Sequence, residues 1–287
     1  MAQEIYELGQ FIPLHYHYQM LTDSSRMNAF RTAIEQGITS EYRVAELGCG
    51  TGVMSFFAAR QGARVWSVER NPTLVAASRK FISANGMADR VKVYEADAST
   101  WLPPEPVDVV ICEMLHSALL REKQVQVIAA FRGAHQAQFG FAPQFLPGAT
   151  LLAVQPVRQC YDFSGFHAPV PLFQPPYDRL GDCEPCSEPA VYEIVDYDHA
   201  SVGLLAADVL FPFQEDTEIN ALRFITKNVL AMDLATGITI DWHSQHLVLP
   251  LPQPYVLSAG QALRVCFDYL PGDSIEKLTE AIQAEVI

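Results

Sequence analysis

The stretch Arg43-Val44-Ala45-Glu46-Leu47-Gly48-Cys49-Gly50-Thr51-Gly52 constrains the fold more than any other part of the chain. A β-rich run ends on three glycines at alternate positions, and a helical pattern (Met54, Phe56, Phe57, Ala58) begins at once. Glycine lets backbone approach a ligand with no Cβ in the way. The helix start adds free amides and a partial positive charge. The spacing, acid-x-Gly-x-Gly-x-Gly, departs from the dinucleotide pattern Gly-x-Gly-x-x-Gly. An acid at the start of the loop repels a pyrophosphate, so Glu46 suits a ligand carrying an ammonium or sulfonium group. S-adenosylmethionine (SAM) carries both.

The rest of the first half repeats the alternation. Residues 64–68 read as a strand closed by Glu69, Pro72 to Asn85 as a helix, and residues 91–94 and 107–112 as two more strands. The last is apolar on both faces, as a buried parallel strand should be. The expectation is an α/β fold: a Rossmann-like doubly wound parallel sheet with right-handed crossovers. After Pro147 short strand-like runs follow at 151–157, 190–195, 207–211, 222–226, 246–251 and 262–269, punctuated by proline, glycine and aspartate. These predict a mostly β barrel or sandwich. The expected organisation is a helical N-terminal segment (1–40), a SAM-binding domain (41–147) and a β-barrel-like domain (148–287).

In such a sheet ligands bind beyond the carboxyl ends of the strands. Glu69, 23 residues after Glu46, is placed to accept hydrogen bonds from two ribose hydroxyls, with Arg70 beside it. Asp97 and Ala98, after the third strand, are placed at the adenine. Glu113 ends the fourth strand where a methyl acceptor should lie, and Glu122 follows nine residues later across a short turn. Two carboxylates so spaced can close on a guanidinium, which offers five donors in a fixed fork. Arginine stays charged at accessible pH, so the acids would orient it and receive the proton as the methyl transfers. His116, inside the same turn, is a candidate general base near neutral pH. Cys183-Glu184-Pro185-Cys186 lacks a second pair or a histidine at ligand spacing, so no metal is expected.

These residues resemble the protein arginine methyltransferases, a family of class I SAM-dependent enzymes. Val44 to Ala63 is similar to the family's first SAM motif, and Glu113 and Glu122 match its paired-glutamate loop. His17-Tyr18-Gln19-Met20-Leu21-Thr22-Asp23-Ser24-Ser25-Arg26 resembles the His-x-x-Met-Leu-x-Asp-x-x-Arg segment that covers bound SAM. The resemblance implies that Arg26 pairs with the SAM carboxylate and that His17 and Met20 close over the cofactor. It implies further contacts from Glu46, Gly48, Cys49, Gly50, Gly52, Glu69 and Glu113. It also implies a barrel with a dimerisation arm near Tyr161 to His167, and a homodimer. The chain departs from the family on the acceptor side. Trp-Met-Gly-Tyr after the first glutamate is here Met114-Leu115-His116-Ser117, and the N-terminal aromatic pair is replaced by Tyr6-Glu7-Leu8-Gly9-Gln10-Phe11. The barrel's Thr-His-Trp is here Ile240-Asp241-Trp242-His243. By position Asp241 would face Asp23, unless His243 substitutes for the missing histidine.

Charge bears on the partner. Residues 1–150 hold 14 acidic and 13 basic side chains, whereas residues 151–287 hold 19 acidic and 6 basic. A body with net charge −14 is a poor general binder of nucleic-acid phosphates, and its field favours a cationic partner. No apolar run reaches the roughly 18–20 residues of a membrane span, and the N-terminus does not read as a signal peptide. With six scattered cysteines, a cytoplasmic protein is expected. The leading expectation is SAM-dependent N-methylation of an arginine guanidinium in a basic protein or peptide, releasing S-adenosylhomocysteine. The alternatives are methylation of a small molecule or another peptide side chain with a histidine base, and a catalytically inactive SAM-binding partner protein.

Overall fold

The structure, a computed structural model, describes residues 12–176, 182–199, 201–232 and 237–287. The N-terminal run Tyr6 to Phe11, and with it the start of the expected helical segment, lies outside the described residues. Two helices come first, α1 (His17–Thr22) and α2 (Ser24–Gly37). The Asp23 carboxylate accepts the Arg26 amide at 2.9 Å and so caps α2, which fixes where the helix begins. Phe30, Ala33 and Ile34, at i, i+3 and i+4, form its buried face.

A five-stranded, wholly parallel sheet follows, built from β1 (Arg43–Leu47), α3 (Val53–Arg60), β2 (Arg64–Glu69), α4 (Pro72–Ala84), β3 (Val91–Glu95), β4 (Val109–Cys112), α5 (Gln124–Phe139) and β5 (Gln144–Leu146). Its order is β3-β2-β1-β4-β5. The chain reverses direction of travel across the sheet between β1 and β4, where crossovers leave to opposite sides and open a crevice. Leu47 and Cys112, the last residues of those strands, are register partners. The glycine loop after β1 and Glu113 after β4 therefore emerge side by side.

Helix α5, the longest among the described residues, was not singled out by periodicity. Its opening, Gln124-Val125-Gln126-Val127-Ile128, alternates polar and β-branched residues as a strand would. Packing on the sheet decides otherwise, because Val125, Val127, Ile128 and Phe131 are all buried.

The remaining chain is almost all antiparallel. It comprises β6 (Ala149–Gln159), the short hairpin β7 (Asp162–Phe163) and β8 (Phe166–His167), β9 (Leu172–Gln174), β10 (Cys183–Pro185), β11 (Ala190–Asp196), β12 (Leu205–Pro212), β13 (Thr217–Met232), β14 (Thr239–His243), β15 (His246–Leu257), β16 (Ala262–Tyr269), α6 (Ile275–Ala281) and β17 (Gln283–Val286). The larger sheet runs β10-β6-β13-β15-β9 with β11 on β6 and β14 on β13, and a second sheet runs β12-β16-β17. Phe224 of β13 and Phe267 of β16 meet edge to face at 5.3 Å and join the two sheets. The fold is thus a Rossmann-like α/β sheet followed by a strand-rich second part, and Trp242 of β14 packs on Phe30 of α2 to connect them.

His135 ties α5 to the sheet. It is fully buried; its Nε2 accepts the Val107 amide at 3.0 Å, and Nδ1 lies 2.9 Å from the Phe141 carbonyl. Nδ1 therefore carries the proton, and burial holds the ring's pKa below the usual histidine value. The unfolded chain takes up a proton near pH 6.5 that the folded chain refuses until lower pH. Stability is accordingly retained above about pH 6.5 and lost as pH falls toward the folded value. His135→Leu leaves the Val107 amide unpaired, and urea unfolding at pH 8 should show a loss of about 1–3 kcal/mol. The variant should also lose less stability than the parent between pH 7 and 5.5.

Candidate active site

The glycine loop is shaped by contacts that only glycine tolerates. Gly50 has φ +53°, and a Cβ there would lie 2.6 Å from the His17 ring. His17, at the start of α1, is thereby pressed onto the loop from above. The Gly50 amide donates to Glu69 Oε2 at 3.0 Å, while Glu69 Oε1 takes the Asn71 amide at 2.8 Å. The carboxylate at the end of β2 is so fixed against the loop that follows β1.

Around this junction lies a cavity of about 820 Å³, within the usual range for a small-molecule site. Of the residues singled out from sequence, His17, Met20, Arg26, Glu46, Gly48, Cys49, Gly50, Glu69, Arg70, Asp97, Ala98, Glu113, His116, Glu122 and His243 line it. Gly52 does not; a Cβ there would lie 2.5 Å from Ser78 Oγ. The lining suits SAM. Acids at the loop, at the ends of β2 and β4 and beyond β3 outnumber the cations Arg26, Arg70 and Lys123, as a cationic ligand requires. His17 Nε2 is buried with no hydrogen-bond partner in the protein, an orphan that a bound nucleoside or amino acid would satisfy.

Three cofactor-side residues are more engaged than their sequence positions suggest. Glu46 Oε2 accepts the Ser55 amide at 2.9 Å as well as the Ser55 hydroxyl, so one of its oxygens caps α3 rather than facing a ligand. Burial pushes its pKa up to about 7, against the pull of the Ser55 hydrogen bonds. Asp97 Oδ1 accepts the Ser99 hydroxyl at 2.6 Å and its amide at 2.9 Å, which hold the carboxyl below the usual range. Arg26, expected at the SAM carboxylate, is bound to Glu113: Nε donates to Oε2 at 3.1 Å and Nη2 donates to the same oxygen.

The acceptor side is built by the loop between Glu113 and Glu122. Three non-glycine residues there are left-handed: Ala118 (φ 56°), Leu119 (φ 54°) and Arg121 (φ 63°). Each costs roughly 1–2 kcal/mol and persists only where the surroundings enforce it. Enforcement comes from the strand-rich second part of the chain. The Ala118 amide donates to Thr226 Oγ1 at 2.7 Å, and the Tyr269 hydroxyl donates to the Ala118 carbonyl at 2.9 Å. Leu119 accepts from the Gly272 amide, and Arg121 donates to the Asp273 carbonyl, both at 2.8 Å. These bonds turn the chain back so that Glu122 lines the same cavity as Glu113. Burial first, then the Glu113 charge, pushes the Glu122 pKa up to about 8.

His116 is set differently. Its Nδ1 lies 3.2 Å from the Ser117 carbonyl, so that nitrogen holds the proton, and its ring meets Phe173 edge on at 5.5 Å. Burial drives its pKa to about 4. A ring so reluctant to charge is a poor proton acceptor at neutral pH, and Glu122 is the stronger base. Asp241, expected to face Asp23, turns instead to Lys227, whose Nζ lies 2.8 Å away; Asp23 is occupied as the α2 cap. His243 lines the cavity, and burial lowers its pKa also.

Comparison with known proteins agrees with this geometry. A model described as a methyltransferase domain matches residues 44–136. The chain is a SAM-dependent methyltransferase. An uncharacterized protein of Methanocaldococcus jannaschii is 27% identical over 266 residues, covering 92% of this chain and 95% of the relative. The arginine N(omega)-methyltransferase of Streptomyces achromogenes subsp. streptozoticus is 29% identical over 283 residues, 86% of this chain and 74% of that one. Protein arginine N-methyltransferase 6 of Xenopus laevis matches at 31% over 149 residues, half of this chain and 42% of its own. Among solved structures, PRMT6 with SAH has TM-score 0.70 at 17% identity, covering 96% of this methyltransferase and 99% of that chain. The Trypanosoma brucei PRMT1 enzyme–prozyme complex with AdoHcy gives 0.70 at 16%, covering 95% and 98%. The fold of this methyltransferase is thus like that of the solved protein arginine methyltransferase structures.

Gln124 escaped the sequence reading. Buried at the start of α5, it accepts the Met114 amide at 2.8 Å and donates to the Cys112 carbonyl at 2.7 Å, clamping the strand end from which Glu113 projects. A lone glutamine eleven residues beyond Glu113 carries no motif; only the fold brings it there. Thr226 was likewise read only as part of a strand.

Two substitutions test this assembly. Gly50→Ala combines a clash with His17 and a left-handed backbone, worth about 1–2 kcal/mol, so calorimetry should show S-adenosylhomocysteine binding weakened about tenfold. Thr226→Val strands the buried Ala118 amide at a cost of about 1–3 kcal/mol. Methyl transfer should then fall by at least about tenfold in kcat, while S-adenosylhomocysteine affinity, which depends on the other half of the cavity, stays unchanged.

Proposed function

We propose that this methyltransferase transfers a methyl group from SAM to a terminal nitrogen of an arginine guanidinium. The observation that carries the reading is the pairing of Glu113 and Glu122 on one wall of the cavity, close enough for one charge to raise the proton affinity of the other. Adjacent partly buried carboxylates are satisfied by a cation, and a planar guanidinium can give each a donor. Similarity to enzymes named for arginine methylation supports the choice.

When bound, SAM supplies an electrophilic methyl on a sulfonium. Glu113 and Glu122 would hold the guanidinium and draw its positive charge away from the nitrogen that attacks. As the new N–C bond forms, that nitrogen sheds a proton, and Glu122 is the group whose environment best suits it to receive one. His116 Nε2, with the proton held on Nδ1, would accept a hydrogen bond from a non-reacting N–H. The surrounding β9 segment, through Phe173 and Pro175, walls the acceptor end.

A basic protein or peptide is the leading acceptor, because the net charge of −14 draws cationic chains. One observation favours free arginine as a second reading. The match to the Streptomyces enzyme, whose name specifies arginine without protein, extends over 86% of this chain. The match to the Xenopus protein enzyme extends over only 50%.

Labelled SAM should methylate an arginine-rich peptide, free L-arginine, or both, and the preferred one identifies the acceptor. Glu122→Gln should reduce turnover by about 100-fold or more with little change in S-adenosylhomocysteine affinity. The free enzyme binds a guanidinium best when Glu122 is ionised, so kcat/KM for the acceptor should rise from pH 7 and level off above about 8. That limb should be absent from Glu122→Gln. Undiminished turnover in Glu122→Gln would sink the guanidinium reading.

A further inference from the structure

The larger antiparallel sheet has a second buried face, and it is polar. Gln155 of β6 and Val248 of β15 are both register partners of Arg223 on β13. His246, two residues from Val248, is the partner of Gln174 on β9. Directly opposed residues share a face, as do residues two apart on one strand. Arg223, Gln155, His246 and Gln174 therefore point the same way, opposite to Phe224 and the interior that joins the two sheets. Tyr161, just beyond β6, packs over this face with Val248 and Cys183. The five polar side chains are each at most 9% exposed.

Their hydrogen bonds do not close. Arg223 Nε donates to Gln155 Oε1 at 3.0 Å and Nη2 donates to the same atom. Among the described residues, a neutral amide is thus all that the guanidinium holds. The Tyr161 hydroxyl, Gln174 Oε1 and both His246 ring nitrogens are buried without a partner. Gln174 is oriented from outside the cluster: Gln159 Nε2 donates to the Cys160 carbonyl at 2.8 Å, which leaves Gln159 Oε1 to accept from Gln174 Nε2, also at 2.8 Å. Gln174 accordingly shows the cluster an acceptor oxygen. Burial, then the Arg223 charge, lowers the His246 pKa to about 4, so the ring is neutral and offers one donor and one acceptor. A buried guanidinium needs a counter-charge, and water satisfies hydrogen bonds without supplying one.

We propose that this cluster binds a small oxyanion that itself carries a hydroxyl group, the class of bicarbonate and hydrogen phosphate. Its charged oxygens lie against Arg223 and take the Tyr161 hydroxyl and the His246 N–H, while its own hydroxyl donates to Gln174 Oε1. A halide or fully deprotonated sulfate has no proton to give that oxygen. The site is independent of the methyl acceptor. Phe173, next to Gln174, points to the other face of β9 and lines the methyl-transfer cavity, so the oxyanion stands on the far side of that wall from the reacting groups.

Thermal unfolding at pH 7.5 and constant ionic strength tests the site with four sodium salts: phosphate, bicarbonate, sulfate and chloride. Phosphate, bicarbonate or both should raise Tm saturably, by about 3 °C at ten times the dissociation constant. Sulfate, which stabilises proteins generally by exclusion from their surface, should give only an unsaturating rise, and chloride none. Tyr161→Phe and Gln174→Met keep the cation, and each should weaken the responding ion about tenfold while S-adenosylhomocysteine affinity stays unchanged. Arg223→Met should abolish the saturable response. The assignment is overturned if neither phosphate nor bicarbonate saturates, or if sulfate or chloride saturates as tightly. A saturable response of undiminished affinity in Tyr161→Phe and Gln174→Met places the ion elsewhere and overturns it equally.

Discussion

The mutual repulsion of Glu113 and Glu122 is the interaction on which the rest of the structure depends. Left alone, two partly buried carboxylates would separate or one would protonate. Here one is neutralised by Arg26 and the other holds its proton to about pH 8. Under the proposed function this pair is the site for an acceptor cation. Its catalytic value lies in being built before the acceptor arrives, since donors and acceptors already in place need no reorganisation during reaction.

Holding that arrangement is the task of the strand-rich second part of the chain. The loop between the glutamates contains three left-handed residues that its own sequence disfavours, and it keeps that shape through bonds to Thr226, Tyr269, Gly272 and Asp273. Those residues lie more than a hundred positions downstream. The parallel sheet supplies the strand ends from which both halves of the site emerge, and the antiparallel part supplies the constraint that makes the acceptor half usable. Methyl donor and methyl acceptor are thus served by different parts of the chain joined through one strained loop.

This division explains what could be read in the sequence. The donor half is local: strand, glycine turn, helix and a following acid occupy residues 43–69, and each rule acts over a few positions. Glu46, Gly50 and Glu69 all border the cavity as that pattern implies. The acceptor half is non-local. Glu113 and Glu122 were legible by spacing, but Gln124 and Thr226 matter only through contacts that the fold creates. Arg26 was legible as a cavity residue, yet its partner Glu113, 87 positions away, was not. Helix α5 was missed for a related reason, since its opening alternates as a strand and only burial against the sheet overrides the pattern.

The acidity of the second half bears on selectivity in a way that sequence alone misjudges. Among the described residues, no aspartate or glutamate from positions 151–287 lines the cavity. Several of those acids are held by surface partners instead, Asp208 and Glu285 by Arg264, Glu184 by Arg158 and Asp241 by Lys227. At physiological salt an exposed charge is largely screened beyond about 8 Å, so such a field can hasten the approach of a cationic chain without choosing which group enters. Under the proposed function, choice falls to the paired glutamates, whose interaction is shielded from salt by burial. On that reading, raising ionic strength slows association more than it relaxes a preference for a guanidinium, because speed and selectivity are set by different charges.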